Sequence, residues 1–74
     1  MKLPQVNGER LVRALKKDGW EIERTSGSHF ILVNSRDPST TVSVPVHNRP
    51  VKPGTLAAIL KGAHVTPERL RELL

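Results

Sequence analysis

The sequence predicts an α+β fold in which helices cover one face of a small antiparallel sheet. An amphipathic helical pattern opens the chain, three short strand-like runs follow, and two helix-starting signals close it. Helices grouped around a run of strands, rather than alternating with them, give a two-layer packing on one sheet face. With 74 residues there is room for one domain, taken to span residues 1–74. A chain this short buries only about 60% of its unfolded surface, so the core is thin. Cysteine is absent, so no disulfide or thiolate metal site braces it.

The first helix is expected from Gly8 to Asp18. Asn7 suits the N-cap and Glu9 the positive helix end. Leu11, Val12 and Leu15 share one stripe, with Arg10, Arg13 and Lys17 off it. Gly19 supplies the left-handed residue that ends the helix. Trp20 to Arg24 alternates apolar and charged residues and reads as a strand with one wet face. A turn, Ser26-Gly27-Ser28, leads to a nearly continuous apolar strand, His29 to Val33. A second turn, Asn34 to Pro38, precedes an alternating strand from Thr41 to Val46, and Pro45 puts the end of that strand at a sheet edge.

A second helix is expected to begin near Pro53 and to bury Leu56, Ile59 and Leu60. Ala57, Ala58 and Ala63 allow close approach, and Gly62 is the expected stop. Thr66 and Pro67 start a short third helix, Val65 stapling onto Leu70 across the cap. The middle strand carries Ile31 and Val33 on one side and Phe30 and Leu32 on the other, so one side is expected to be an exposed apolar patch where a second protein docks.

Twelve Lys and Arg against seven Asp and Glu give a formal charge of +5. From Arg24 to Lys61 five basic residues face one acid, while the last thirteen residues are balanced. Such an excess favours polyanions, nucleic acid above all. The amino end has no apolar run of the signal-peptide kind, and no stretch reaches the roughly 18 apolar residues of a membrane span. A cytoplasmic protein without membrane contact, monomeric when free, is therefore expected.

Of the three histidines, His29 opens a strand directly after a glycine turn, at a rim that a rigid strand holds and an open loop exposes. His47 lies in the loop after the third strand, and His64 reads as a surface or helix-capping residue. Their spacings match no metal-ligand motif, so no metal is expected. Trp20 and Phe30 are the only aromatics besides histidine and read as core, which argues against base stacking.

The ordered series Gly19-Trp20, Gly27-Ser28-His29, Val44-Pro45-Val46-His47 and Lys52-Pro53-Gly54-Thr55-Leu56 resembles the HicA toxins of bacterial toxin–antitoxin pairs, over residues 7 to 74. The resemblance implies a double-stranded-RNA-binding-domain-like α-β-β-β-α fold with a short C-terminal helix. It further implies an mRNA interferase, an endoribonuclease that cuts RNA without metal or cofactor and arrests translation. It makes His29 the catalytic residue and a HicB-type antitoxin the partner that covers the site. The stretch from Asn34 to Thr40 is longer than the family's turn, and Asn7 stands where Ser is common.

RNA carries its own nucleophile, the ribose 2′-hydroxyl. Cutting it needs a proton acceptor, a proton donor and positive charge at the phosphorus. Imidazole, with an ordinary pKa of about 6.5, serves both proton transfers near neutrality. Gly27 permits close approach of the RNA backbone, and Ser28 or the turn amides donate to phosphate. Arg24, Arg49 and Lys52 are the expected phosphate contacts, His47 an RNA contact or second proton shuttle, and Lys16 and Lys17 an extension along the first helix. A non-catalytic RNA-binding module of the same fold is the alternative, and a small protein-interaction domain a more distant one.

Overall fold

The computed structural model describes residues 3–47 and 49–74. Its elements are α1 (Gly8–Lys17), β1 (Trp20–Ser26), β2 (His29–Asn34), β3 (Asp37–Pro45), α2 (Pro53–Ala63) and α3 (Pro67–Leu73). The strands form one antiparallel sheet in the order β1-β2-β3. This is the expected α+β arrangement, α-β-β-β-α with a short C-terminal helix.

Helix α1 starts as its sequence dictates. The Asn7 side chain accepts a hydrogen bond from the Arg10 amide at 2.9 Å, and Leu11, Val12, Ala14 and Leu15 are buried. Gly19 follows with φ of +98°, a conformation that costs glycine little. Gly8 answers a different demand. A Cβ there would meet the Pro45 carbonyl oxygen and lie 2.8 Å from Val46 Cα, so the helix start sits directly against the end of β3.

The β1–β2 turn is Gly27-Ser28, with Gly27 at φ of +58°. Register shifts between Ile22 and Arg24, so that Ile22 pairs with Leu32 and Arg24 with Ile31. Directly paired residues share a sheet face. The bulge therefore sends Ile22 to the helix side and Arg24 to the open side, where plain alternation would have kept them together.

The expected long turn after β2 is corrected. The hairpin turns in two residues, Ser35 and Arg36, and β3 begins at Asp37 rather than Thr41. The extra length is a bulge, since Asn34 pairs with Asp37 while Val33 pairs with Thr41. The Asp37 carboxylate closes it, accepting from Ser39 Oγ at 2.6 Å, Thr40 Oγ1 at 2.8 Å and the Ser39 amide at 3.3 Å. These bonds, the Ser39 hydroxyl first, hold the Asp37 carboxyl below its ordinary range. The support they lend is present above the ordinary aspartate pKa and lost as pH falls through the lowered one.

Trp20, Leu32, Val42 and Val44 form the buried side of the sheet, and Phe30 is half-buried against them. Leu56, Ile59, Leu60 and Ala63 of α2 and Leu70 and Leu73 of α3 complete the core with Val6, Val51 and Val65. Ile31 and Val33 do face the open side, but they are half-buried. They lie between Arg24 and Ser43 and between Glu21 and Thr41. The expected exposed apolar patch on β2 is thus largely screened, and the exposed large hydrophobic is Ile22, 39% accessible.

Gly62 does not stop α2. The helix runs through it to Ala63, and His64 takes the left-handed cap at φ of +57°. The Val65 amide then donates to the Leu60 carbonyl at 2.9 Å while its side chain joins the core, so burial of Val65 sets the stop two residues later than composition implies. Ala57 and Ala58 are exposed, leaving Ala63 as the close-packed alanine. Thr66 caps α3 as expected, accepting from the Arg69 amide at 3.1 Å. Arg69 reaches Asp18 at 3.3 Å and ties α3 to the end of α1.

Two substitutions test this packing. Gly62→Ala adds a Cβ 3.5 Å from Val42 Cγ1, an ordinary contact, inside a helix. It is expected to stabilise the fold by about 0.5–1 kcal/mol in denaturant melts. Gly8→Ala forces the backbone at Pro45 and Val46 to move and is expected to destabilise by about 1–3 kcal/mol.

Candidate functional site

Where β2 begins and β3 ends, the backbone brings two motif segments together. His29 pairs in register with Pro45, and the Val46 amide donates to the Ser28 carbonyl at 2.6 Å. That bond carries the chain out of the sheet with His47 beside His29. Their ring centroids are 6.4 Å apart and their planes 83° from parallel, an edge-on arrangement. Both residues are exposed. Among the described residues neither imidazole has a hydrogen-bond partner, so ring nitrogens remain open to a ligand.

An open cleft of about 770 Å³ lies between this corner and the start of α2. His29, Ser43, Pro45, His47, Arg49 and Lys52 line it, together with Pro50, Val51 and Thr55. Its ionisable residues are two histidines, an arginine and a lysine, with no carboxylate among them. Arg49 and Lys52 make no ion pair among the described residues. The first turn of α2 also borders the cleft; it has no acidic residue and no side-chain cap, so the partial positive charge of the helix end is not offset locally. A cleft of this composition attracts anions, and its two imidazoles can take up and deliver protons.

The loop that carries His47, Arg49 and Lys52 is held from behind. The Val51 amide donates to the Val6 carbonyl at 2.8 Å, and Asn7 bridges Pro50. Both valines are buried. The segment before α1 and the loop before α2 thus form a short paired strip under the cleft.

Five of the residues expected from sequence fall into two groups. His29, His47, Arg49 and Lys52 line one cleft. Arg24 does not line it; the β1 bulge sets it opposite Ile31, diagonal to His29 across the open sheet face. Gly27 and Ser28 form the turn immediately before His29 and lie outside the lining, and a Cβ at Gly27 would meet nothing within 4 Å. The expected track along α1 changes. Lys17 is committed to structure, its ammonium donating to the Leu73 carbonyl at 3.1 Å. Lys16 borders a separate groove over Ile22 and Phe30. Arg10 takes the place near the cleft, sharing a shallow depression with Arg49 and Pro50. Its nearness to Arg49 comes from the Asn7–Pro50 bridge, a pairing with no local signature in the sequence. Ser43 was equally unmarked, a small polar residue in an alternating strand. His64 is an exposed helix cap, as expected.

The family described as "HicA toxin of bacterial toxin-antitoxin" matches residues 8–65 of the 74. The chain belongs to the HicA toxin family. No curated protein matches it significantly. The matched span contains the His29 turn, the His47 loop and the whole of α2, so every residue lining the cleft lies within the part that defines a HicA toxin. No helix among the described residues is long and apolar enough to cross a membrane.

The division of cations gives a test on a single-stranded oligonucleotide. Arg49→Ala or Lys52→Ala is expected to weaken binding and to lower the magnitude of the slope of log affinity against log salt by about 0.7. Lys17→Ala is expected to leave that slope unchanged and to lower the melting temperature instead.

Proposed function

We propose that this HicA-family toxin is a metal-independent endoribonuclease, an mRNA interferase whose catalytic residue is His29. The observation that carries this reading is the cleft itself: an exposed imidazole without a hydrogen-bond partner among the described residues, in a cleft whose described lining holds cations and no carboxylate. A polyanionic substrate fits that composition.

The 2′-hydroxyl of RNA attacks the adjacent phosphorus, so the protein need supply only proton transfer, orientation and charge. His29 moves the proton, a contribution typically worth about 10²–10⁴ in rate. Arg49 and Lys52 neutralise the phosphate and the charge that develops on it. Gly27 and Ser28, in the turn before His29, receive the RNA backbone, and Arg24 guides the strand from the open sheet face. His47 also contacts the RNA in this reading. The toxin acts in the cytoplasm and arrests translation by cutting messages. Its antitoxin is of the HicB type and neutralises it by covering the cleft, because a body seated there excludes RNA without altering the fold.

The experiment is cleavage of a labelled, unstructured RNA in EDTA by the parent protein and by folded His29→Ala. The parent alone is expected to cut, leaving 2′,3′-cyclic phosphate ends, while His29→Ala binds RNA with similar affinity and loses about 10²-fold or more in rate. If both proteins bind and neither cuts, with translating ribosomes present as well as absent, the non-catalytic RNA-binding reading replaces this one.

A further inference from the structure

We infer that His47 is the second acid–base group of the site, working with His29 across one phosphate. One imidazole takes the 2′-hydroxyl proton and the other protonates the departing 5′-oxygen. This rests on the ribonuclease reading above and adds a second catalytic residue to it.

The attacking and leaving oxygens stand roughly in line on opposite sides of phosphorus. A single imidazole fixed at the start of a strand reaches one side. Reaching the other requires either a large movement or a second group. Among the described residues that line the cleft, the other imidazole is His47, and imidazole is the side chain suited to both giving and taking a proton. With centroids 6.4 Å apart on one cleft, the two rings are close enough for a single phosphate to offer one oxygen to each.

The two rings come from different elements, which is what a clamp on both sides of a phosphate needs. His29 is the first residue of β2, and His47 lies two residues beyond the end of β3. The Val46–Ser28 hydrogen bond, one residue before each histidine, sets their separation through the backbone. Because neither ring has a hydrogen-bond partner among the described residues, none of these locks it as a donor or an acceptor. The charged and titratable groups around His47 are His29 from β2, Arg49 in its own loop and Lys52 at the start of α2, with Arg10 of α1 beside Arg49.

The proton count closes. A neutral imidazole accepts the 2′-hydroxyl proton as the O2′–P bond forms. The P–O5′ bond breaks with its electron pair on O5′, which takes a proton from the imidazolium opposite. The products are a 2′,3′-cyclic phosphate and a 5′-hydroxyl. The two rings finish with exchanged protonation states and reset by exchange with water. Activity therefore requires one ring neutral and one charged, and the rate falls on both sides of an optimum.

The test uses the full chain with a single-stranded oligoribonucleotide and a second copy carrying a bridging 5′-sulfur at one linkage. Sulfur departs without being protonated, so it bypasses the acid but not the base. His47→Ala and the size-matched His47→Gln are expected to bind RNA like the parent and to cut the ordinary substrate about 10²–10⁴-fold more slowly. Both are expected to lose one limb of the parent's bell-shaped pH–rate profile. On the sulfur substrate one of His29→Ala and His47→Ala recovers rate and the other does not. Cleavage by His47→Ala within about threefold of the parent overturns the pair while leaving the nuclease reading intact. So does a loss that is wholly in binding, with both limbs kept and neither variant rescued by sulfur. A parent that leaves the RNA whole overturns the nuclease reading and the pair together.

Discussion

The structure turns on one closure, the seating of the end of β3 against the start of β2. The Val46–Ser28 hydrogen bond at 2.6 Å and the His29–Pro45 register end the sheet at this corner. Pro45 donates no backbone hydrogen bond, and after Val46 the chain leaves for the loop that carries His47 and Arg49. From the other side the first residue of α1, Gly8, presses on Pro45 and Val46. Val6 and Val51 then bury beneath the loop and pair through their backbones. A corner gripped by a strand, a helix start and a buried strip holds exposed side chains in fixed positions. Such positioning is what a site needs when acid–base chemistry depends on tenths of an ångström.

Among the cations of this basic chain two pairs stand in contrast, and the difference follows what each can reach. Lys17 and Arg69 fasten α3, one to the Leu73 carbonyl and the other to Asp18 and Glu72. They are bound by partners within the protein and do not line the cleft. Arg49 and Lys52, with no carboxylate beside them, leave their charge for a ligand. Two cations without an ion pair among the described residues therefore stand where two imidazoles line a concave surface. An anion entering this cleft meets hydrogen-bond donors and the uncapped start of α2 before it meets any opposing charge.

Much of the fold was legible from local chemistry. Asn7, Gly19, Thr66 and Pro67 mark helix ends because capping and φ preferences are properties of single residues. The strand order followed from alternation and from turn residues such as Gly27. What the sequence could not give were the outcomes of tertiary competition. Gly62 was a credible stop, but the core demanded Val65, and the left-handed cap fell on His64. The stretch from Asn34 to Thr40 looked like a loop because its residues are polar, although an aspartate-closed bulge lets it lie in the sheet. Arg24 changed faces through a bulge that its alternating strand did not announce. The site was half visible in the same sense. Gly27-Ser28-His29 and the Val46-His47 segment are local marks, whereas their meeting, and the arrival of Arg10 beside Arg49, depend on long-range pairing.

The most direct test of the account is whether the two imidazoles respond as one site. Histidine side-chain nitrogen spectra would be followed as a single-stranded oligodeoxynucleotide, which lacks the attacking 2′-hydroxyl, is titrated into the protein. The account predicts that His29 and His47 shift together along one saturation curve, while His64, at the end of α2 and outside the cleft, stays where it was. A titration that moves His29 without His47, or His64 as much as either, would contradict it.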